Sequence, residues 1–323
     1  MTVEWMPDVL GVPIERLTLD LGEDPEGPVV ATLVRRLPNP VAAWLRPLRD
    51  VDVLYVHGWS DYFFQTPLAQ FWNRLGARFY ALDLRKYGRS LREGQTPGYI
   101  SSLDEYDADI DAALAAMSGR AGRRLVLMGH STGGLTLTLW AARHPGVVSA
   151  LVLNSPWLEL QTGGLARQAL APLVQARARI DPLGAQPAVD LGFYTRAQRE
   201  LGTLPSGPEQ WRPERGFRTH PGWLAAVLAG HARIAAGVDV GCPVLVLLSA
   251  ASAHPFAWSD EMTTADAVLT VDDIARAATR IGRDVTLARI DGAIHDVFLS
   301  RPDARDAAYA ALRAWALHGA LLR

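Results

Sequence analysis

Short, nearly continuous apolar runs alternate along the chain with stretches in which apolar residues recur every three to four positions. The first kind predicts buried β-strands over 51–56, 77–82, 125–128, 148–153, 243–249 and 285–290. The second kind predicts helices over 65–76, 103–117, 134–144, 271–281 and 304–321. Apolar strands separated by helices are typical of a parallel sheet that is covered on both faces. The pattern therefore predicts an α/β fold with a doubly wound, mostly parallel sheet.

Two segments depart from this alternation. Residues 14–21 and 29–37 alternate apolar and polar positions around a turn at 22–28, which predicts an N-terminal antiparallel hairpin. Residues 157–238 show no strong strand pattern but contain helical stretches over 165–178, 194–201 and 221–235, together with many aromatic residues. We interpret 156–238 as a helical cap inserted into a core formed by 1–155 and 239–323. Most of the cap aromatics are expected in the cap's own core, and some in a pocket wall.

Composition narrows the classes of function. The chain has 323 residues, of which 49% are hydrophobic and 20% charged, as is typical of a soluble globular protein. A formal net charge of −2 gives no sign of a nucleic-acid-binding surface. Neither an apolar run of about 18 residues nor a secretory signal is apparent, so we expect no transmembrane segment and a cytoplasmic location. Cys242 is the only cysteine, and we expect it to fill the core rather than to react.

The pentapeptide Gly129-His130-Ser131-Thr132-Gly133 joins the strand at 125–128 to the helix that follows. It matches the G-x-S-x-G pattern of a nucleophile elbow, a sharp turn that lifts a serine hydroxyl above the edge of the sheet. Glycines two residues before and after the serine leave room where a side chain would clash with the neighbouring strand and helix. We therefore predict that Ser131 is a nucleophile, with an ordinary turn serine as the alternative.

A serine hydroxyl needs a base within hydrogen-bond reach, and in an open parallel sheet that base lies beyond the carboxyl end of a strand. His295 meets this condition because it follows the strand at 285–290 after a short turn. His254 follows the preceding strand and is the weaker alternative. The other histidines considered lie in the elbow, at a helix end or in the cap, namely His130, His144, His220 and His231.

The base in turn needs an acid that holds its tautomer and stabilises the imidazolium. The chain after the strand at 243–249 offers Asp260, Glu261, Asp266, Asp272 and Asp273. Asp272 and Asp273 fall at a predicted helix start, where carboxylates cap helices for structural reasons. Asp260 and Glu261 belong to a loop and are either near the substrate or solvated. We favour Asp266, which precedes this helix as a loop acid would, and place Asp272 second.

These residues, together with His57-Gly58-Trp59 after a strand and the polar turn at 83–90, resemble the α/β-hydrolase superfamily. The chain is most similar to its monoacylglycerol lipase/lysophospholipase-like branch, which is also grouped with serine aminopeptidases. The resemblance covers nearly the whole length and is most specific at 53–60, 83–90, 127–134 and 290–298. It includes Asp266-Ala267-Val268-Leu269 and Gly292-Ala293-Ile294-His295-Asp296. The segment 249–264 is longer than the usual turn after that strand.

The resemblance implies an α/β-hydrolase fold and a serine hydrolase that cleaves a carboxylic ester through an acyl-enzyme on Ser131. The backbone N–H groups of Trp59 and Thr132 would form its oxyanion hole, which agrees with the free N–H groups expected where a strand ends in His-Gly. No metal or organic cofactor is expected. The candidate substrate contacts are His57, Trp157 and Trp258.

The expected partner is a small-molecule ester rather than nucleic acid, and the aromatic-rich cap favours an apolar acyl or monoacylglycerol-like group. An amide, peptide, thioester or lactone cleaved by the same residues is the first alternative. A noncatalytic ligand receptor that retains the fold is the second. Dehalogenase chemistry is disfavoured because it needs a carboxylate in place of Ser131.

Overall fold

The computed structural model describes residues 4–117, 119–160, 164–184, 186, 191–254 and 256–321, with the backbone alone over 164–170. These residues form one sheet, whose strands are β1 (Met6–Pro7), β2 (Glu15–Asp24), β3 (Gly27–Arg36), β4 (Val51–Val56), β5 (Arg78–Asp83), β6 (Arg124–His130), β7 (Ala150–Asn154), β8 (Val244–Ser249) and β9 (Val285–Ile290). The α-helices are α1 (Pro40–Ala43), α2 (Thr66–Arg74), α3 (Tyr106–Ala116), α4 (Thr132–Arg143), α5 (Gly164–Ile180), α6 (Phe193–Glu200), α7 (Pro221–Ala236), α8 (Val271–Ala278) and α9 (Pro302–Trp315).

The strands follow the spatial order β1-β2-β3-β5-β4-β6-β7-β8-β9. The first three are antiparallel neighbours, and β3 joins β5 in antiparallel register through pairs such as Thr32 with Asp83. From β5 to β9 every neighbouring pair is parallel. The predicted hairpin and the mostly parallel sheet are both confirmed. Because parallel strands share one direction, the residues after β4, β6, β8 and β9 all emerge at the same edge, which we call the carboxyl edge.

The strands separate two layers of core. Alternate residues of β4 point to opposite faces, so Leu54 and Val56 pack in one cluster while Val53 and Tyr55 pack in the other. The first cluster includes residues of α3, α4 and α8, and the second includes residues of α2 and α9. All six residues of β4 are buried, as the apolar run predicted. The sheet is therefore covered on both faces.

Several boundaries differ from those expected. Residues 38–50, for which the apolar pattern predicts no helix, contain the short helix α1. Asn39 caps this helix by accepting from the N–H groups of Val41 and Ala42. The two-residue strand β1 was not predicted. The helix predicted from residue 134 begins at Thr132. The last predicted helix is regular only to Trp315 and continues as a π-helix over Ala316–Ala320.

Between β7 and β8 the described residues form α5, α6 and α7 and no strand. Gly230 of α7 packs closely on the core, since a Cβ atom there would stand 2.5 Å from Leu103 Cδ1 and 3.2 Å from Cδ1 of Leu139 in α4. The division into a core and a cap at 155/156 and 238/239 remains a prediction. Among the helices of the described residues, none has both the length and the apolar character that crossing a bilayer requires.

Candidate active site

Ser131 stands at the turn between β6 and α4 with a φ of 51° and a ψ of −117°. A positive φ is strained for a serine, and such strain is maintained only where the surroundings enforce it. They do so here. A Cβ atom at Gly133 would lie 2.3 Å from the His57 carbonyl oxygen, and one at Gly129 would lie 2.7 Å from that of Gly133. The two glycines are therefore needed so that the elbow can press against β4 and its own helix.

His295 and Asp266 meet behind the elbow. Nδ1 of His295 lies 2.9 Å from Oδ2 of Asp266, and both side chains are almost fully buried. The other carboxylate oxygen, Oδ1, accepts from the N–H groups of Val268 and Leu269, each at 2.8 Å. Asp266 is thus held as an acceptor. Nε2 of His295 has no hydrogen-bond partner among the described residues, so it is available to a group in front of it.

The backbone explains why Asp266 reaches the histidine. Residues 251–253 extend the line of β8, and Ser252 forms an isolated parallel bridge with Asp266. The Asp266 N–H donates to the Ala251 carbonyl at 2.9 Å, and its carbonyl accepts from the Ala253 N–H at 2.8 Å. The long segment after β8 therefore returns to the carboxyl edge before α8 begins.

The competing residues are placed elsewhere. The Asp272 side chain is 77% exposed and pairs with Arg289 at 2.6 Å. Asp260, Glu261 and His254 are exposed. Burial, followed by the charge of Asp239, raises the pKa of the Cys242 thiol to about 12, so this cysteine carries no thiolate near neutral pH.

A cavity of about 100 Å³ brings the elbow and the base together. Its wall comes from the turn after β4, from the elbow, from α6 and the loop before α7, and from the segments that carry the acid and the base. The lining residues are Gly58, Trp59, Ser60, Asp61, His130, Ser131, Tyr194, Thr195, Arg212, Pro213, Gly216, Val268 and His295. Most of these side chains are polar, and the cavity is small.

The expected oxyanion donors flank the nucleophile. Trp59 lines the cavity, and Thr132 is the first residue of α4. Among the described residues, no acceptor takes the backbone N–H of either. The Trp59 indole is anchored away from the backbone, since its ring centroid lies 3.8 Å from that of Trp223. This packing restrains the turn that follows β4.

His57, Trp157 and Trp258 do not line the cavity. The Nδ1 atom of His57 bonds to the Gly58 carbonyl at 2.8 Å, and its Nε2 accepts from the Leu84 N–H at 3.2 Å, so both ring nitrogens are occupied. Burial lowers the pKa of His57, which keeps the ring neutral for this role. The described bonds of His57 hold this turn, and its contact with a substrate stays a prediction.

The two tryptophans pack against protein instead. The Trp157 ring lies 5.1 Å from that of His231, whose Nε2 bonds to the Trp157 carbonyl at 2.9 Å. Trp258 packs against Phe193 and lies under the guanidinium of Arg196, 3.9 Å from the ring centroid. The expectation that they contact substrate is therefore not met by the described cavity.

Comparison with models of protein families identifies the family of this chain. The model of the family described as "Serine aminopeptidase, S33" matches residues 49–301, a range that contains Ser131, Asp266 and His295. The chain belongs to this serine aminopeptidase S33 family. With its nine-stranded, mostly parallel sheet it has the α/β-hydrolase fold.

Individual relatives of this S33-family chain are named as lipases and esterases. A monoacylglycerol lipase of Mycolicibacterium smegmatis is 31% identical over 173 residues, which is 48% of this chain and 58% of the relative. The pimeloyl-(acyl-carrier protein) methyl ester esterase of Chromobacterium violaceum is 30% identical over 217 residues, covering 62% of this chain and 76% of the relative. The chain therefore spans less than two thirds of the first relative's length. A soluble variant of monoglyceride lipase from Saccharomyces cerevisiae, solved with a substrate analogue, shares the fold with a TM-score of 0.63 at 15% identity, over 93% of this chain and 95% of that chain.

Two charged residues that line the cavity were not among the site residues predicted from the sequence. Asp61 follows the Trp59 turn, and Arg212 comes from the segment between α6 and α7. Arg212 Nε lies 3.1 Å from Asp61 Oδ1, and each side chain is only 9% exposed. Arg212 also donates to the Gln198 side chain. The pair therefore joins the turn after β4 to the segment between α6 and α7.

A second network ties the nucleophile to the loop that carries the base. The backbone carbonyl of Asn154 accepts from the Ser131 N–H at 3.0 Å. The side-chain Nδ2 of Asn154 donates to Asp296 Oδ1 at 2.7 Å. Asp296, next to His295, also accepts from Gln65 Nε2 at 2.6 Å and from the Phe298 N–H at 3.0 Å. Asn154 and Asp296 are fully buried. Their satisfied bonds hold the two loops at a set separation.

Proposed function

We propose that this protein is a serine hydrolase that cleaves carboxylic esters. The observation that carries the proposal is one constellation: a strained serine at a helix start and a histidine with a free Nε2 share one cavity, and a buried carboxylate fixes that histidine's other nitrogen. These are the roles of nucleophile, base and orienting acid in acyl transfer. The names of the lipase and esterase relatives support an ester as the bond that is cleaved.

In the proposed reaction, Ser131 Oγ forms a bond to the ester carbonyl carbon as its proton moves to Nε2 of His295. The tetrahedral intermediate then collapses, and the imidazolium returns the proton to the departing alcohol. Water attacks the acyl-enzyme with His295 again as base, which releases the acid and restores the serine. Asp266 stabilises the imidazolium through its bond to Nδ1. Each step uses groups of this chain, the ester and water.

The negative charge that develops on the carbonyl oxygen is assigned to the backbone N–H groups of Trp59 and Thr132. Both lack a protein acceptor among the described residues, and Thr132 opens α4, where the helix dipole favours negative charge. Preorganised donors of this kind are worth about 3 kcal/mol each in the transition state.

The cavity supports a short acyl group. About 100 Å³ holds the ester group and a few carbon atoms, and the described wall offers hydroxyl, carboxylate and guanidinium groups. The cap aromatics Phe217, Trp223 and Trp157 pack with Trp59 and Tyr87 in a core layer instead of lining this space. We therefore propose esters with acyl chains of a few carbons as the fastest substrates, in place of the long apolar acyl groups that the aromatic content favoured.

Hydrolysis of p-nitrophenyl esters from acetate to palmitate tests the proposal, with wild type beside Ser131→Ala. We expect hydrolysis that is fastest at short chain lengths and falls by about 10⁴-fold or more in the variant. Hydrolysis that persists in Ser131→Ala would refute the assignment of the nucleophile. If folded wild-type protein cleaves no ester but cleaves amides, thioesters or lactones in a Ser131-dependent way, the mechanism stands and the ester assignment fails.

A further inference from the structure

The opposite edge of the sheet carries a second concave site. A depression of about 640 Å³ lies among the end of β3, the helix α1 and the end of α2. Arg36 at the end of β3 pairs with Phe79 at the start of β5, so this is the edge where the parallel strands begin. The nucleophile stands where they end. A strand of six residues is about 20 Å long, so the depression is separate from the catalytic cavity.

Three arginines line this depression, and no carboxylate does. They are Arg36, Arg46 and Arg74, and the polar residues beside them are the amides Asn39, Gln70 and Asn73. Nearby arginines find acidic partners, since Arg35 pairs with Glu15 and Arg124 with Asp50. Among the described residues no carboxylate forms an ion pair with any of the three lining arginines.

One of the three cations, Arg36, is held in place by a neighbouring side chain, whereas Arg46 and Arg74 are exposed. Arg36 donates to the Asn73 side chain, and Asn73 Nδ2 donates back to the Arg36 carbonyl at 2.9 Å. Arg46 is pressed against the turn after α2, where a Cβ atom at Gly76 would stand 2.6 Å from Arg46 Cβ. Burial, followed by the positive charge of Arg74, lowers the pKa of Arg36. The two guanidinium groups therefore repel each other across the depression.

The rest of the wall is apolar. Pro13, Leu37, Pro38 and Ala42 line the same space as the arginines. An anion placed between the arginines would relieve their repulsion and accept bidentate hydrogen bonds, which guanidinium groups form with carboxylates and phosphates. A short hydrocarbon attached to it would cover the prolines, the leucine and the alanine. The volume falls in the range of small-molecule sites.

We propose that this depression binds a small amphiphilic anion, with a carboxylate or phosphate head between Arg36, Arg46 and Arg74 and a short apolar body against Pro13, Leu37 and Ala42. The Arg36 guanidinium is already held by Asn73, and a preformed donor lowers the cost of ordering on binding. The site does not depend on the proposed hydrolysis, because none of its residues belongs to the catalytic cavity.

Isothermal titration with sodium octanoate, octyl phosphate, inorganic phosphate and the neutral analogue octanamide tests this site. The test variant is Arg46→Gln/Arg74→Gln, which removes two exposed charges and keeps part of each aliphatic stem. The matched control is Arg49→Gln, an exposed arginine of the same loop outside the depression. Equal Tm values for the three proteins confirm that the fold is kept.

We expect octanoate and octyl phosphate to bind wild type and Arg49→Gln alike and the double variant at least about 10-fold more weakly, since the double variant lacks two charged hydrogen-bond donors. Octanamide should not compete. If octanoate bound beside Ser131 instead, its affinity would be the same for the double variant as for wild type. An unchanged affinity in the double variant therefore overturns the proposal. An equal loss in Arg49→Gln also overturns it, because it indicates unspecific charge attraction. Inorganic phosphate binding as tightly as octyl phosphate would overturn the apolar half of the assignment.

Discussion

Nδ1 of His295 lies 2.9 Å from Oδ2 of Asp266, while the other oxygen of that carboxylate accepts from two backbone N–H groups. In all three of these hydrogen bonds the Asp266 carboxylate is the acceptor. The contact therefore fixes the tautomer of His295 with its proton on Nδ1, and the lone pair on Nε2 faces the cavity.

This contact predicts the effect of Asp266→Asn. The amide either turns its NH₂ group toward His295, which imposes the wrong tautomer, or turns it toward the N–H groups of Val268 and Leu269. We expect kcat for a short-chain ester to fall by about 10⁴-fold with a modest change in KM. Asp272→Asn is the matched control and should retain full kcat, because Asp272 is exposed and bonds to Arg289. The reverse outcome would transfer the role of acid to Asp272.

The elbow makes a prediction about stability. In Gly133→Ala the new Cβ atom meets the carbonyl oxygens of His57 and Val56 at 2.3 and 2.5 Å, and neither strand residue can yield without breaking the sheet. We expect the free energy of unfolding, measured in urea, to fall by at least about 3 kcal/mol. Gly319→Ala is the control, since nothing lies within 4 Å of its Cβ position. A Gly133→Ala protein as stable as wild type would contradict the close packing of the elbow against β4.

The elbow and the strands were predictable because recurring sequence patterns encode their constraints. Glycine spacing around Ser131 reflects clashes of the turn with its own helix and with the neighbouring strand β4, and the apolar runs of the strands reflect burial on both faces of the sheet. The contact of Asp266 with His295 was also predictable, since a loop residue between β8 and α8 can return to the carboxyl edge.

The contacts of the cavity wall could not be predicted in the same way. Asp61 and Arg212 are 151 positions apart and are joined only by the fold. Whether Trp157 and Trp258 contact substrate stays a prediction for the same reason, because an aromatic residue near a loop fills either a pocket or a core, and the choice depends on distant partners such as His231 and Arg196. Both ring nitrogens of His57 bond within the turn after β4, and its expected contact with a substrate also stays a prediction.

The pair formed by Asp61 and Arg212 predicts a pH-dependent stability. Burial raises the pKa of Asp61, whereas the positive charges of Arg212 and His130 lower it. A carboxyl group with a raised folded-state pKa stabilises the fold at low pH, and that contribution is lost as pH rises through the folded-state value. In Arg212→Met the pKa of Asp61 in the folded state should rise further, because the neighbouring positive charge is gone. We therefore expect the free energy of unfolding, measured in urea, to be about 3 kcal/mol below that of wild type at pH 8 and much closer to wild type at pH 4.

The control for this prediction is the double variant Asp61→Asn/Arg212→Met. It lacks the titrating carboxyl group, so its stability relative to wild type should change far less between pH 4 and pH 8 than that of Arg212→Met. A deficit in Arg212→Met that is equal at both pH values would show that the arginine acts through packing and not through its charge.

The hydrogen bonds of Asp296 predict that one substitution there lowers both the free energy of unfolding and kcat. Its two oxygens accept from Gln65, Asn154 and the Phe298 N–H, so Asp296→Asn leaves at least one donor facing an NH₂ group. We expect a loss of about 1–3 kcal/mol in the free energy of unfolding, with a lower kcat because the loop carrying His295 shifts. Asp291→Asn, an exposed position in the same loop, should change neither quantity. Unchanged stability in Asp296→Asn would show that these bonds do not hold the loop.

The most direct test of the central claim is intact-mass spectrometry after reaction with a fluorophosphonate, followed by peptide mapping. Such a reagent bonds only to a serine that a base has activated. The account predicts one adduct per chain, located on Ser131, absent from Ser131→Ala and formed far more slowly in Asp266→Asn. Folded wild-type protein that gains no adduct, or an adduct on any other residue, would contradict the assignment of Ser131 as the nucleophile.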